Sequence, residues 1–319
     1  MITVGVPVYN AMPFLPECLD SIFAQEFADF RLLVINDGST DSSTKYLRSL
    51  NDSRLRLIEQ ENQGIAAVRN RMLMECSTPW LMLLDADDVA YPQRLTRTVQ
   101  YIRRYPDAAV LYSMADFYPG RQRRLRTTRK GSREIRKLVC SGYLPDICNS
   151  TAALNVKLVR SVGGYRGGLY AVEDTDLWWR IALQHEIQFI PEALTGYRHN
   201  PHSLSTRKVE EQETALLYVQ YLLLSHLWHR KPRTLQELSP ALRNLNPQSM
   251  KFRRHKRELI LALGEGEGMQ AASHALRALS SYPRAFLERL LDECFPRRSI
   301  SLGQPPALFL KQHGQLWHD

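Results

Sequence analysis

The sequence predicts an α/β fold, with a mostly parallel central sheet covered by helices on both faces, followed by a mainly α-helical C-terminal region. Three observations carry that expectation. Up to about residue 205, short β-branched or aliphatic runs alternate with segments of helical spacing. Several runs are continuously apolar rather than alternating, which suits parallel strands buried on both sides. From about Val209 the pattern becomes helical stretches separated by breakers such as Pro232, Pro240, Pro247, Gly264 and Pro283. At about 150 residues per domain, 319 residues make two units. The boundary is expected near Thr206, giving units 1–205 and 206–319.

The elements follow in order. Strands are expected over Ile2 to Tyr9, Phe30 to Asn36, Leu55 to Glu59, Trp80 to Leu84 and Ala108 to Ser113. Helices lie between them, marked by Leu15, Leu19, Ile22 and Phe23, by Tyr46, Leu47 and Leu50, by Ile65, Val68, Met72 and Leu73, and by Leu95, Val99 and Ile102. Asp41 or Ser42 caps the second helix, Pro92 starts the fourth and Pro106 stops it. The last segment, Pro305 to Asp319, reads as partly disordered.

Composition narrows the class. With 44% hydrophobic and 24% charged residues, 16 Gly and 17 Pro, collagen-like, low-complexity and largely disordered chains are excluded. The longest mostly apolar run, Ala215 to Leu227, is broken by Gln220, Ser225 and His226 and is too short for a membrane span. Met1 runs directly into apolar residues with no basic region ahead of them, so a cytoplasmic chain is expected, with a peripheral place on the inner membrane face left open by the Arg121 to Lys137 stretch. Five cysteines, Cys18, Cys76, Cys140, Cys148 and Cys294, contain no CxxC pair and read as reduced, mostly buried thiols. The 42 basic residues outnumber the 33 acidic ones, for a net charge of +9. Nine basic residues and one acid, Glu134, lie between Arg121 and Lys137, so that stretch alone nets +8.

Four clusters fall at the ends of expected strands, where open α/β sheets place their ligand crevice. "PVYN" (Pro7 to Asn10) offers the Tyr9 ring as a stacking face for a nucleobase. In "NDGST", Asp37 stands at the mouth of the second strand and can accept a base imide or amine hydrogen, although a plain turn capped by Asp41 also fits. Gly64 opens a helix with Arg69 and Asn70 on its next turns, a geometry that favours phosphate. "WLMLLDADDVAYP" drives a buried strand into Asp85, Asp87 and Asp88. Three carboxylates in four residues repel by roughly 1 kcal/mol or more per close pair, which a hard divalent cation relieves. Extended alternation would point Asp85 and Asp87 the same way.

In this order "VPVYN", "NDGST", "NQG" with "AVRN", and "DADD" resemble the family 2 glycosyltransferases of the GT-A fold. "LVRSVGGY" (Leu158 to Tyr165) and "VEDTDLWWR" (Val172 to Arg180) continue the resemblance, which covers roughly residues 1 to 205. The resemblance implies that Pro7, Tyr9, Asn10, Asp37, Gly64 and Arg69 hold the nucleoside diphosphate. It assigns Asp85, Ala86 and Asp87 to the ribose and a divalent cation, Mn2+ or Mg2+, and Asp174, with Glu173 beside it, to the catalytic base. Trp178 or Trp179 would provide an acceptor platform. In "GYRHNPHSLS" the family's His position holds Asn200, leaving His202, preferred, or His199 as the further metal ligand. The processive signature "QxxRW" is missing, so transfer of a single sugar is expected.

The expected donor is a nucleoside diphosphate sugar, UDP-hexose or UDP-N-acetylhexosamine. The expected acceptor is a glycan or glycolipid of bacterial surface polysaccharide synthesis. The Arg121 to Lys137 stretch suits an anionic membrane surface. "KFRRHKR" (Lys251 to Arg257) and "AFLERLLDECF" (Ala285 to Phe295) suit membrane or subunit contacts, the C-terminal helices giving a homo-oligomer. Two other classes fit part of the sequence. A nucleic-acid-binding module fits the charge but leaves "DADD" unexplained, and no nucleic acid is expected. A sugar nucleotidyltransferase would need a Gly-rich basic loop after the first strand, and "PVYNAMPF" is neither.

Overall fold

The computed structural model describes residues 1–120, 124–125, 127–198, 200, 203, 208–244, 268–281 and 314–317. Its chain divides into two compact units. The first comprises Met1–Val139, Pro145–Gly168 and Glu173–Arg198, and the second Cys140–Leu144, Leu169–Val172 and His199–Asp319. The boundary expected near Thr206 lies outside the described residues.

The first unit is built on β1 (Ile2–Val8), β2 (Phe30–Asp37), β3 (Leu55–Gln60), β4 (Trp80–Leu83), β5 (Val89–Ala90), β6 (Ala108–Tyr118), β7 (Ala152–Asn155) and β8 (Glu186–Arg198). They form one sheet in the order β3-β2-β1-β4-β7-β6-β8-β5. The half containing β3, β2, β1 and β4 is entirely parallel, whereas β7 runs antiparallel to both of its neighbours. All seven residues of β1 are buried, as expected of a strand covered on both faces. The α/β architecture expected from the sequence is therefore present, in mixed form.

The parallel half has helices as its crossovers, α1 (Leu15–Phe23), α2 (Ser43–Ser49) and α3 (Ile65–Glu75); α4 (Arg94–Arg104) follows β5. In α1 the residues Leu15, Cys18, Leu19 and Ile22 are buried, one stripe of a 3.6-residue period. Gly5 lets α3 approach the sheet: a Cβ there would lie 2.9 Å from the Leu81 side chain and 3.2 Å from Met72 Sδ. Pro7 is tolerated in a central strand for a specific reason. Gly5 accepts from Leu84 N–H, so Pro7, two residues on, faces the same side, where β4 has already ended at Leu83.

Three strands went unanticipated. β5 and β7 are two and four residues long, too short to show a period. β8 carries Pro191, and its register with β6 jumps from Ser113↔Ile190 to Met114↔Ala193, a bulge that leaves Pro191 outside the ladder. The same pairing extends β6 to Tyr118, beyond the expected end at Ser113. Further on come α5 (Ser132–Cys140), α6 (Val156–Ser161) and α7 (Glu173–Gln184).

In the second unit, helices Val209–Leu227 and Leu235–Asn244 and the short 3-10 turn Gly314–Trp317 enclose Tyr221, Leu224, Leu238, Leu242 and Leu316. The segment Lys251 to Arg257 and the segment Ala285 to Phe295 lie outside the described residues, as does most of Pro305 to Asp319. No described helix is long and apolar enough to cross a membrane. The four described cysteines are free thiols, but only Cys18 is buried, and Cys140 is exposed. The expectation of mostly buried thiols is corrected there, because Cys140 ends α5 on the side away from Ile135 and Val139. Cys294 lies outside the described residues.

Candidate active site

The loops after β1, β2, β3 and β4 all leave the same ends of parallel strands, which brings the sequence clusters to one rim of the sheet. Pro7 is buried inside β1, while Tyr9 is 52% exposed just beyond it. Asn10 takes a left-handed backbone (φ 49°) that aims its side chain at the neighbouring loop. Its Oδ1 accepts from Thr40 N at 2.7 Å and Asp41 N at 3.2 Å, and its own N–H donates to Ser39 Oγ. Asn10 therefore organises the loop, and Tyr9 is left as the open aromatic face.

Asp37 is almost fully buried. Its Oδ1 accepts from Gln60 Nε2 at 2.6 Å and Gln63 N at 2.9 Å, and its Oδ2 from Gly64 N at 2.9 Å. The carboxylate thus pins the β3–α3 loop against the β2 end. Gly64, the residue before α3, needs the left-handed φ of 84°. Gly38 is likewise left-handed, and a Cβ there would sit 2.9 Å from Asn62 N.

The aspartates do not continue the strand. β4 ends at Leu83, and Asp85 to Asp88 form a turn closed by Asp88 N–H donating to Asp85 O at 3.0 Å. The expected extended alternation of Asp85 and Asp87 is corrected accordingly. In the turn, Asp85 and Asp87 are partly exposed, whereas Ala86 and Asp88 are buried. Ser150 Oγ receives Asp85 N–H. Arg198 clamps the other side: its N–H donates to Asp88 Oδ1 at 2.8 Å, its Nε to Asp87 O at 2.9 Å and its Nη2 to Glu17. Asp88 Oδ2 is buried with no hydrogen-bond partner among the described residues. Burial, then the charges of Asp87 and Asp85, push the Asp88 carboxyl well above the ordinary carboxylate range.

Arg69 is the hub. Only 5% exposed, it donates from Nη2 to Asp85 Oδ1 at 2.9 Å and from Nη1 to Glu173 Oε1, and it lies over the Tyr165 ring. It lies on the buried face of α3 beside Val68 and Met72, where an unpaired guanidinium would be very costly. In this structure the guanidinium is committed to two carboxylates, Asp85 and Glu173. Burial works against its charge, but Asp85 and Glu173 hold its pKa above the ordinary value. Glu173 is raised to about 7: burial outweighs the pull of Arg69, and Asp174 adds to the rise. One cation serves Asp85 and Glu173 with Asp174 close by, so the group carries excess negative charge.

Asp174 follows Glu173 in the first turn of α7 and is partly exposed, unlike its neighbour. Its Oδ1 accepts from Thr175 N at 2.7 Å. Burial raises its pKa against the charge of Arg69. Asp176 is fully buried between Arg166 and Arg180 and is structural.

Asn70 does what its position on α3 did not suggest. Its Nδ2 donates to Tyr165 O at 2.7 Å and its Oδ1 accepts from Tyr165 N at 2.8 Å, fixing the Gly163–Gly164 turn. Gly164 has φ +63°, and a Cβ there would lie 2.6 Å from Asn70 Oδ1. Gly164→Ala is expected to destabilise the fold by about 1–3 kcal/mol, read as a lowered midpoint in urea unfolding with an unchanged slope.

The tryptophans are corrected. Trp178 is fully buried with its Nε1 donating to Ile147 O at 3.0 Å, and Trp179 is 3% exposed. Helical spacing put both toward the core, so neither ring offers a face to a sugar. His199 and His202 lie outside the described residues. Among the described residues no three His, Cys, Asp or Glu side chains are grouped to hold a metal ion. Nothing in the sequence points to Glu17 or Ser150, and its pattern sets Asn70 beside a phosphate rather than against the Tyr165 backbone. Asp88 was seen only as part of the acidic run, and the one available signal for Arg198 was its place in "GYRHN".

Comparison with known proteins gives a consistent result. The model for Glycosyl transferase family 2 matches residues 3–163. Glycosyltransferase GlyA of Streptococcus pneumoniae is 44% identical over 89 residues, covering 27% of this chain and 13% of that protein. Teichoic acid poly(glycerol phosphate) polymerase of Staphylococcus epidermidis is 44% identical over 91 residues, with the same two coverages, 27% and 13%. The chain thus matches only a small part of the length of those relatives. Among solved structures, TarS 1–349 of S. aureus in complex with UDP-GlcNAc superposes with a TM-score of 0.57 at 17% identity, covering 92% of each chain. The mannosyltransferase PcManGT from Pyrobaculum calidifontis, in complex with GDP-Man and Mn2+, gives 0.54 at 16% identity, covering 93% of this chain and 88% of that one. At those identities the likeness is one of fold.

Proposed function

The chain belongs to glycosyl transferase family 2, and from that membership we propose that it transfers a single sugar from a nucleoside diphosphate sugar to a glycan or lipid-linked acceptor, with inversion. The observation that carries this reading is the Arg69 bridge, which ties Asp85 of the acidic turn to Glu173, the neighbour of Asp174. It supports a donor-binding turn and a base held in one frame.

Tyr9 is the exposed ring for the nucleobase, and the Asp37-pinned loop shapes the wall beside it. UDP is the proposed nucleotide, with uracil as its base, supported by the UDP-GlcNAc complex of the TarS neighbour. The acidic turn fits a hard divalent cation, Mn2+ or Mg2+: its donors are carboxylate oxygens, and Asp88 buries an unpartnered one. Asp87, with a ligand such as His202, would hold the ion, which offsets charge on the departing diphosphate. Asp174 takes the proton of the acceptor hydroxyl as that oxygen attacks the anomeric carbon. A single displacement from the face opposite the leaving group inverts the configuration. Glu173 and Arg69 position that base. The exposed cations Arg129, Arg133, Arg136 and Lys137 support contact with an anionic membrane surface. Arg121, Arg123 and Arg126 of the same stretch lie outside the described residues.

Calorimetric titration with UDP, with and without Mn2+, tests the donor site. Mn2+-dependent binding is expected, weakened at least tenfold in Asp87→Ala. Silence toward UDP, GDP and dTDP alike would overturn the reading, whereas a response to GDP or dTDP alone would replace only the base.

A further inference from the structure

The second unit contains a cavity of about 730 Å³, within the roughly 300–1,000 Å³ range of small-molecule sites. One wall is aromatic. Trp317 stacks on Tyr221 with ring centroids 4.8 Å apart and meets Trp228 edge-on at 5.1 Å. Trp228 and Trp317 remain partly exposed. The Trp317 indole N–H donates to Ser225 Oγ at 3.0 Å. The pocket is also lined by the loop joining helices Val209–Leu227 and Leu235–Asn244, with Arg230, Lys231 and Arg233, all exposed. Among the described residues none of these three side chains makes an ion pair.

The loop backbone is held while those side chains are left out. Arg230 N–H donates to Ser225 O at 2.8 Å, Arg233 N–H donates to Tyr221 Oη at 3.0 Å, and Tyr218 Oη–H donates to Arg233 O at 3.0 Å. One acid joins them. Glu237 accepts from Thr234 N at 2.7 Å and Thr234 Oγ1 at 2.8 Å, in a capping box with Thr234.

We propose that this pocket binds a phosphate-bearing saccharide segment of the acceptor. The aromatic faces take the apolar C–H side of a sugar ring, Arg230, Lys231 and Arg233 take the phosphate, and the free lone pairs of Glu237 accept a sugar hydroxyl. Three cations against one carboxylate leave a net +2 in the pocket. The carboxylate separates this site from a groove for single-stranded nucleic acid, which is lined by cations along the whole backbone. The inference rests on the glycosyltransferase reading only in naming the ligand as acceptor.

The test uses the full chain and tryptophan fluorescence, since Trp228 and Trp317 line the pocket. Maltotriose 6-phosphate is the probe, with maltotriose, inorganic phosphate and a dT12 oligonucleotide as comparisons. The phosphorylated saccharide is expected to bind at least tenfold more tightly than maltotriose or phosphate. Arg230→Gln/Arg233→Gln should remove at least tenfold of that affinity. Trp228→Phe, a change that keeps the packing, serves as the second variant. Equal binding by wild type and the double variant, equal binding of maltotriose, or tighter binding of the oligonucleotide would each overturn the proposal. Calorimetry with UDP and Mn2+ on the same samples keeps the two ideas apart. Lost saccharide discrimination with intact UDP binding sinks the pocket alone, and absent UDP binding in wild type sinks the transferase reading itself.

Discussion

Replacing Asp174 by Asn is expected to lower kcat for sugar transfer by roughly 10²–10⁴-fold, about 3–5 kcal/mol of barrier, while UDP affinity stays within a factor of three. The amide keeps the shape of the side chain and can still accept from Thr175 N–H, but it cannot take a proton from the attacking hydroxyl. The neighbouring acid does not substitute. Glu173 is buried and committed to Arg69, whereas Asp174 is the partly exposed member of the pair.

The pH profile gives an independent readout. Burial holds the Asp174 carboxyl above its ordinary value of 3.8, against the attraction of Arg69. A base works only when deprotonated, so kcat falls as the pH drops through that raised pKa, and the acid limb lies above that of a free aspartate. A raised pKa also makes the carboxylate a better proton acceptor at neutral pH. Asp174→Asn should flatten that limb. A variant whose kcat stays within threefold of wild type, or whose loss lies wholly in KM, would remove Asp174 from the role of base.

Much of the site was legible because chain order and chemistry coincide there. Carboxylates directly behind "WLMLL" conflict with burial, and that conflict marks Asp85 to Asp88 as a site, although the backbone there turns rather than staying extended. Tyr9 could be placed because a strand end in a parallel sheet opens onto the crevice. What was not legible is pairing across distance. Arg69 and Glu173 are 104 residues apart and Arg198 and Glu17 are 181 apart, and no local period encodes which arginine meets which acid. The sequence suggested a phosphate for Arg69 because a helix start and a positive charge favour one. The fold buries that charge between two carboxylates. The tryptophans show the opposite failure: Trp178 and Trp179 suggest a sugar platform by residue type, yet their place on α7 turns them inward.

Arg69→Met should therefore act on stability first and on catalysis through it. The substitution keeps most of the aliphatic volume but leaves Glu173 and Asp85 without their cation. Breaking a buried pair in this way costs about 3–5 kcal/mol. For a domain of this size, at about 2–4 °C per kcal/mol, the melting temperature should fall by roughly 6–20 °C. Glu173→Gln placed in the same chain removes one of the two stranded charges and is expected to restore part of the loss, because contacting residues do not add independently.

The pH dependence fixes the sign. Glu173 titrates at about 7 in the folded protein against an ordinary value of 4.5. An acid whose folded pKa is raised contributes stability that is complete below about 4.5 and is lost as the pH rises through 7. Glu173→Gln alone should flatten stability over that window, whereas Arg69→Met should carry the decline to higher pH, since the attraction holding Glu173 down is gone. If Glu173→Gln kept the wild-type slope between pH 4.5 and 7, and the decline in Arg69→Met ended at the same pH as in the wild type, Arg69 and Glu173 would not be the pair that joins the acidic turn to the base.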